Sequence, residues 1–86
     1  MPSVAEQIEA RLKAEWPDAD VAVVDESHLH AGHAGARPEG ETHFHVTIAN
    51  PAFAPLSRVE RHRAIHGRLD DLLKGPIHAL RLTIAP

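Results

Sequence analysis

The sequence predicts an α+β fold of order αββαβ, a small three-stranded mixed sheet with helices on one face. Two Ser-x-x-Glu signals, Ser3/Glu6 and Ser57/Glu60, each open an apolar stripe of helical period. From Thr42 the apolar period changes to two, which is that of a strand. The stretch between the second and third strands is long enough for a helical crossover. At 86 residues the chain makes one domain, 1–86, with one core.

The first helix has Ala5, Ile8, Leu12 and Trp16 on one face, and Pro17 ends it because proline cannot continue the ladder. Asp18 to Asp20 make a turn. Val21 to Val24 is β-branched and apolar, the composition of a strand buried on at least one face. Asp25 to Val46, DESHLHAGHAGARPEGETHFHV, holds five of the eight histidines, and its Gly and Pro signals argue against regular structure before Thr42. In the second strand Phe44, Val46 and Ile48 face the core. His43, His45 and Thr47 face the other way, toward solvent, a partner or a site.

Asn50 to Leu56 is a Pro-punctuated connection with Phe53 tucked against the core. The second helix is expected to present Val59, His62, Ile65, Leu69, Leu72 and Leu73 inward, with His62 buried and hydrogen-bonded and His66 at the surface. Lys74-Gly75-Pro76 stops it, with Gly75 suited to a left-handed turn. Ile77 to Ile84 reads as the third strand, with His78, Leu80, Leu82 and Ile84 on one face.

A helical crossover makes the second and third strands parallel and right-handed, while a single loop makes the first and second antiparallel. The end of strand one and the starts of strands two and three then share one edge of the sheet. His78 is thereby brought toward the loop that carries His28, His30 and His33, although some fifty residues separate them in sequence. Imidazole is the side chain best suited to bind a transition metal or carry a proton near neutral pH, so this convergence marks a candidate metal site.

Composition limits the chemistry. There is no cysteine, which excludes disulfides, thiol catalysis and a thiolate metal site made by this chain alone. A net charge of −3 gives no global attraction to nucleic acid. Arg58, Arg61, Arg63 and Arg68 nevertheless crowd the second helix near the end where its dipole disfavours cations. They are either a solvated face or a contact for an anion, a partner's acidic groups or a DNA backbone. No apolar run is long enough to span a bilayer, and the N-terminus lacks a secretory pattern, so the expected location is the cytoplasm. No nucleophile, base and cofactor cradle stand at a recognisable spacing, so an enzyme is not expected.

The segments DESHLHAGH, THFHV, NPAFAPLS, RVERHRAIHGRLDDLL and GPIHALRL, in this order and spacing, resemble the BolA family over nearly the whole chain. The resemblance implies a fold related to the type II KH domain. It also implies a cytosolic partner of monothiol glutaredoxins in iron-sulfur cluster trafficking and iron homeostasis. No membrane association is expected, and by itself the chain is expected to be a monomer or weak homodimer. In that family a 2Fe-2S cluster is held between the two proteins, with thiolates from the glutaredoxin and glutathione. The BolA side gives a histidine from the HAL strand and a His or Cys from the loop between the first two strands. His78 matches the former and His30 the latter, with His33 of HAGHAG as its competitor. Mixed imidazole and thiolate ligation of one cluster is chemically sound, as Rieske-type centres illustrate.

The resemblance also implies an alternative, a DNA-binding transcriptional regulator of stress response and cell morphology that would use the basic second helix. Gly32-His33-Ala34-Gly35 matches the GXXG of KH domains in letters only. It lies between strands, whereas the KH clamp joins two helices.

Overall fold

The computed structural model describes residues 2–26 and 43–86. The elements are α1 (Val4–Glu15), β1 (Asp20–Asp25), β2 (His43–Ala49), a single 3-10 turn (Pro51–Phe53), α2 (Arg58–Leu73) and β3 (Ala79–Ala85). The strands form one sheet in the order β1-β2-β3. β1 runs antiparallel to β2, with Val23 opposite Val46, and β3 runs parallel to β2, with His43 opposite Ala79 and Val46 opposite Leu82. This is the expected α+β architecture, with β2 at the centre.

Both helices start as their sequences dictate. Ser3 and Ser57 accept from the backbone N–H of Glu6 and Glu60, and each glutamate accepts from the backbone N–H of its serine. These reciprocal bonds hold both glutamates below the ordinary carboxylate range. Each cap also satisfies donors that a first helical turn cannot satisfy internally.

The core lies between the helices and one face of the sheet. Val4, Ile8 and Leu12 of α1, Phe44, Val46 and Ile48 of β2, and Ile65, Leu69 and Leu72 of α2 are buried there, with Phe53 and Ile77. Trp16 closes one end, its ring tilted against Phe53 with centroids 5.0 Å apart. The two helices are also joined at their surfaces by Arg11 with Asp71, and by Arg68 with Glu15 at 3.0 Å. The Arg11 guanidinium holds the Asp71 carboxyl below its usual range.

Three expectations change. α2 is rotated from the predicted stripe: Val59 is 55% exposed, and Arg61 and Ala64 are half-buried beside Ile65. His62 is accordingly not a buried histidine. It is half-exposed, and its Nδ1 donates to the Arg58 carbonyl one turn back at 2.9 Å. Gly75 does not use a left-handed conformation. A Cβ there would sit 3.3 Å from the Asp71 carbonyl oxygen, so close backbone approach accounts for the glycine. Finally, β3 starts at Ala79 rather than Ile77. Ile77 takes the buried position, its N–H bonded to the Leu72 carbonyl at 3.0 Å, and His78 falls at an exposed bend instead of sharing the inward face of Leu80.

Candidate metal centre

The topology gathers three chain segments at one edge of the sheet. β1 ends at Asp25, opposite Phe44, and the next residue, Glu26, donates its N–H to the His43 carbonyl at 2.7 Å. On the other side of β2, His43 lies level with Ala79, so His78 stands immediately before the parallel ladder begins. His78 is exposed. His43 is 7% exposed, and the two rings face each other with centroids 5.2 Å apart and planes inclined at 52°.

Strand alternation by itself allows His43 either a site role or simple exposure. The alternation gave its face correctly, but the ring is shielded. The signal was available in the parallel pairing: a residue level with the start of β3 must lie beside the histidine that precedes it. His45, two residues on, shares a 2.9 Å hydrogen bond between Nε2 and the Thr83 hydroxyl. It is thus engaged along the strand rather than at the edge. His30 and His33 lie outside the described residues, but the residues flanking their segment, Glu26 and His43, are bonded to each other at this edge.

The same face carries an ion pair. Arg81 Nη2 donates to Glu26 Oε2 at 2.8 Å and spans β2 to link β3 with the end of β1. Among the described residues, no three His, Cys, Asp or Glu groups converge as a cage. The histidine pair brings two imidazole groups, a ligand type that suits zinc, iron, copper or nickel.

The four arginines of the second helix separate into two classes. Arg61 is turned inward: its Nε donates to the carbonyls of Phe53 and Leu56 at 2.9 and 3.1 Å, and its Nη2 to that of Ala54 at 3.4 Å. Arg68 is paired with Glu15. Arg58 and Arg63 instead line a shallow surface depression with Val59, His62 and His66. The local surplus of positive charge from Arg58, Arg61, Arg63 and Arg68 is therefore divided, with Arg61 committed to its own connection and Arg68 to Glu15.

A family model for the BolA-like protein matches residues 12–86. The chain belongs to the BolA-like family. This BolA-like chain is 41% identical over 80 residues to the SufE-like protein 1, chloroplastic/mitochondrial, of Arabidopsis thaliana, a match that covers 88% of this chain and 22% of that much longer protein. It is 34% identical over 80 residues to the DNA-binding transcriptional regulator BolA of Haemophilus influenzae, covering 93% of this chain and 74% of that one. Among solved structures, the BolA domain of SufE1 from Arabidopsis thaliana superposes with a TM-score of 0.84 at 38% identity, covering 100% of this chain and 95% of that one. The small α+β architecture is thus the BolA fold. Among the described residues, no helix is long and apolar enough to cross a membrane.

Proposed function

We propose that this BolA-like protein is a binding partner of a monothiol glutaredoxin, with which it shares a bridging 2Fe-2S cluster in cytoplasmic iron-sulfur trafficking or iron homeostasis. The observation that carries the reading is the exposed His78, set beside His43 at the edge where the segment bearing His30 and His33 leaves and re-enters the sheet. An exposed imidazole there is open to a second protein. With no cysteine in the chain, thiolates come from the glutaredoxin and from glutathione. The donor set therefore fits a shared cluster and not one this chain holds by itself. When bound, the cluster supplies redox-active iron with soft sulfur ligation. This chain's part is to offer nitrogen ligands, with His78, immediately before β3, first and His30 or His33 as the second. The role is binding, not catalysis.

The test is a titration of cluster-loaded monothiol glutaredoxin with this protein, followed by visible absorption and circular dichroism. The spectrum is expected to change, and His78→Ala is expected to abolish the change. An unaltered spectrum with the cognate glutaredoxin would defeat the reading.

A second reading is favoured by the name of the Haemophilus influenzae relative: DNA binding through the exposed part of α2. Arg58 and Arg63 are the residues available for phosphate contact, while Arg61 and Arg68 are engaged elsewhere. Such binding is expected to weaken steeply with added salt and with Arg63→Ala. Salt-insensitive binding, or none, would exclude it.

A further inference from the structure

His43 and His78 differ in a way that matters for ligation. His43 is fixed from both sides, by the Glu26 N–H on its carbonyl and by its register with Ala79 in the parallel ladder. It is 7% exposed. His78 precedes that ladder at a bend and is open to solvent. The backbone of one is thus held by the sheet and its ring is shielded, while the other ring is exposed.

Their spacing accommodates two ligands on one ion, and it is also within the range of packed rings, as Trp16 and Phe53 show. With metal–nitrogen bonds of about 2.1 Å and a near-tetrahedral angle, two imidazole centroids lie about 5 Å apart. The observed separation is 5.2 Å. We propose that His43 and His78 form a two-imidazole half-site for a borderline transition-metal ion, with His43 as the anchored ligand, His78 as the exposed one and the remaining positions filled from outside the chain. For a free ion this makes His43 a ligand beside His78; on a cluster iron, which has room for two imidazoles, His43 takes the position otherwise given to His30 or His33. The nearby Glu26 carboxylate is not counted, because it is hydrogen-bonded to Arg81.

A metal with open positions can come from two sources, a free divalent ion or an iron of a glutaredoxin-held cluster. The second source rests on the function proposed above; the first does not. The experiment therefore has two arms. In the first, the full chain without glutaredoxin is titrated with Co2+ and followed by its visible absorption. Either His43→Asn or His78→Asn is expected to weaken the site by more than about 100-fold, beyond the roughly 10–100-fold loss typical of removing an outer-shell contact. The double variant is expected to be little worse than either single one, since each breaks the chelate. Because His43 is buried and its replacement can disturb folding, the wild-type chain is also titrated with Zn2+ while the imidazole nitrogens are followed by NMR. The His43 and His78 rings should shift together at the same metal ratio. Zn2+ shifting His78 but not His43, or Co2+ affinity unchanged in a folded His43→Asn chain, overturns the proposal.

In the second arm, cluster-loaded glutaredoxin is mixed with wild-type and His43→Asn chains. A spectrum altered by the former and not the latter extends the half-site to the cluster. A Co2+ site that depends on both histidines, with no wild-type effect on the glutaredoxin spectrum, keeps the half-site and defeats the glutaredoxin reading. The opposite pattern, a wild-type cluster spectrum given equally by His43→Asn and no Co2+ site, defeats the half-site alone.

Discussion

The Nε–H of Arg61 donates to the Phe53 carbonyl at 2.9 Å, tying the first turns of α2 to the 3-10 turn that precedes them. The same nitrogen also reaches the Leu56 carbonyl, so one guanidinium serves a connection in which Pro51 and Pro55 can donate nothing. Arg61→Ala is expected to destabilise the fold by about 1–3 kcal/mol, because part-buried carbonyls lose their donor. Arg61→Lys should not restore it, since an ammonium lacks the planar fork. Arg63→Ala, on the exposed side of the helix, should stay within about 0.5 kcal/mol of wild type. Urea unfolding of the three variants checks all three outcomes.

The rotation of α2 can be tested in the same way. Ile65 is fully buried and Val59 is 55% exposed, although both belong to the apolar stripe written in the sequence. Ile65→Ala should cost about 2–5 kcal/mol, while Val59→Ala should change stability by about 0.5 kcal/mol or less. Equal losses in thermal unfolding would return Val59 to the core.

Acid should loosen the molecule at identifiable places. Glu6 and Glu60 are held below their ordinary range by backbone bonds to Ser3 and Ser57, and Asp71 by the Arg11 guanidinium. A carboxylate whose pKa is lower in the folded state contributes stability that is fully present above its unfolded value, about 4 for Asp and Glu, and is lost as pH falls through the folded value. Stability should therefore fall below about pH 4 and stay flat with respect to these three groups from about pH 6 upward. Ser57→Ala should cost about 0.5–2 kcal/mol at neutral pH and remove part of the acid-dependent fall, which unfolding curves at stepped pH would show.

The Glu26–Arg81 pair crosses the central strand with the carboxylate 17% exposed and the guanidinium 63% exposed. Its open end limits its strength. A double-mutant cycle with Glu26→Gln and Arg81→Gln is expected to give a coupling of about 0.2–1 kcal/mol that shrinks in high salt. A coupling indifferent to salt would show that the pair is more shielded than its geometry indicates.

Much of this architecture was legible in the chain itself. Ser3/Glu6 and Ser57/Glu60 announced both helix starts, and the alternation from His43 to Ile48 gave the faces of β2, because each signal rests on local geometry that tertiary packing did not override. The crossover rule then gave the parallel pairing that brings residue 78 to the edge opposite residue 43. What could not be read was rotation and shielding. Val59 and His62 fit a stripe as well as Ile65 does, and the flank of α2 that meets the core, with Ile65, Leu69 and Leu72 buried and Arg61 bonded to the Phe53 turn, follows from tertiary packing. The shielding of His43 depends on neighbours distant in sequence, so strand parity alone was silent on it.

The parallel ladder between β2 and β3 has a kinetic corollary. Each helix start can nucleate from its own neighbours, but joining these two strands requires the chain to close a loop containing all of α2, a late and entropically demanding event. Residue 78 acquires its companion at position 43 only when that closure is complete. A half-assembled chain, however helical, would present neither the paired rings nor the surface around them, so any metal traffic through this edge is reserved for molecules that have finished folding.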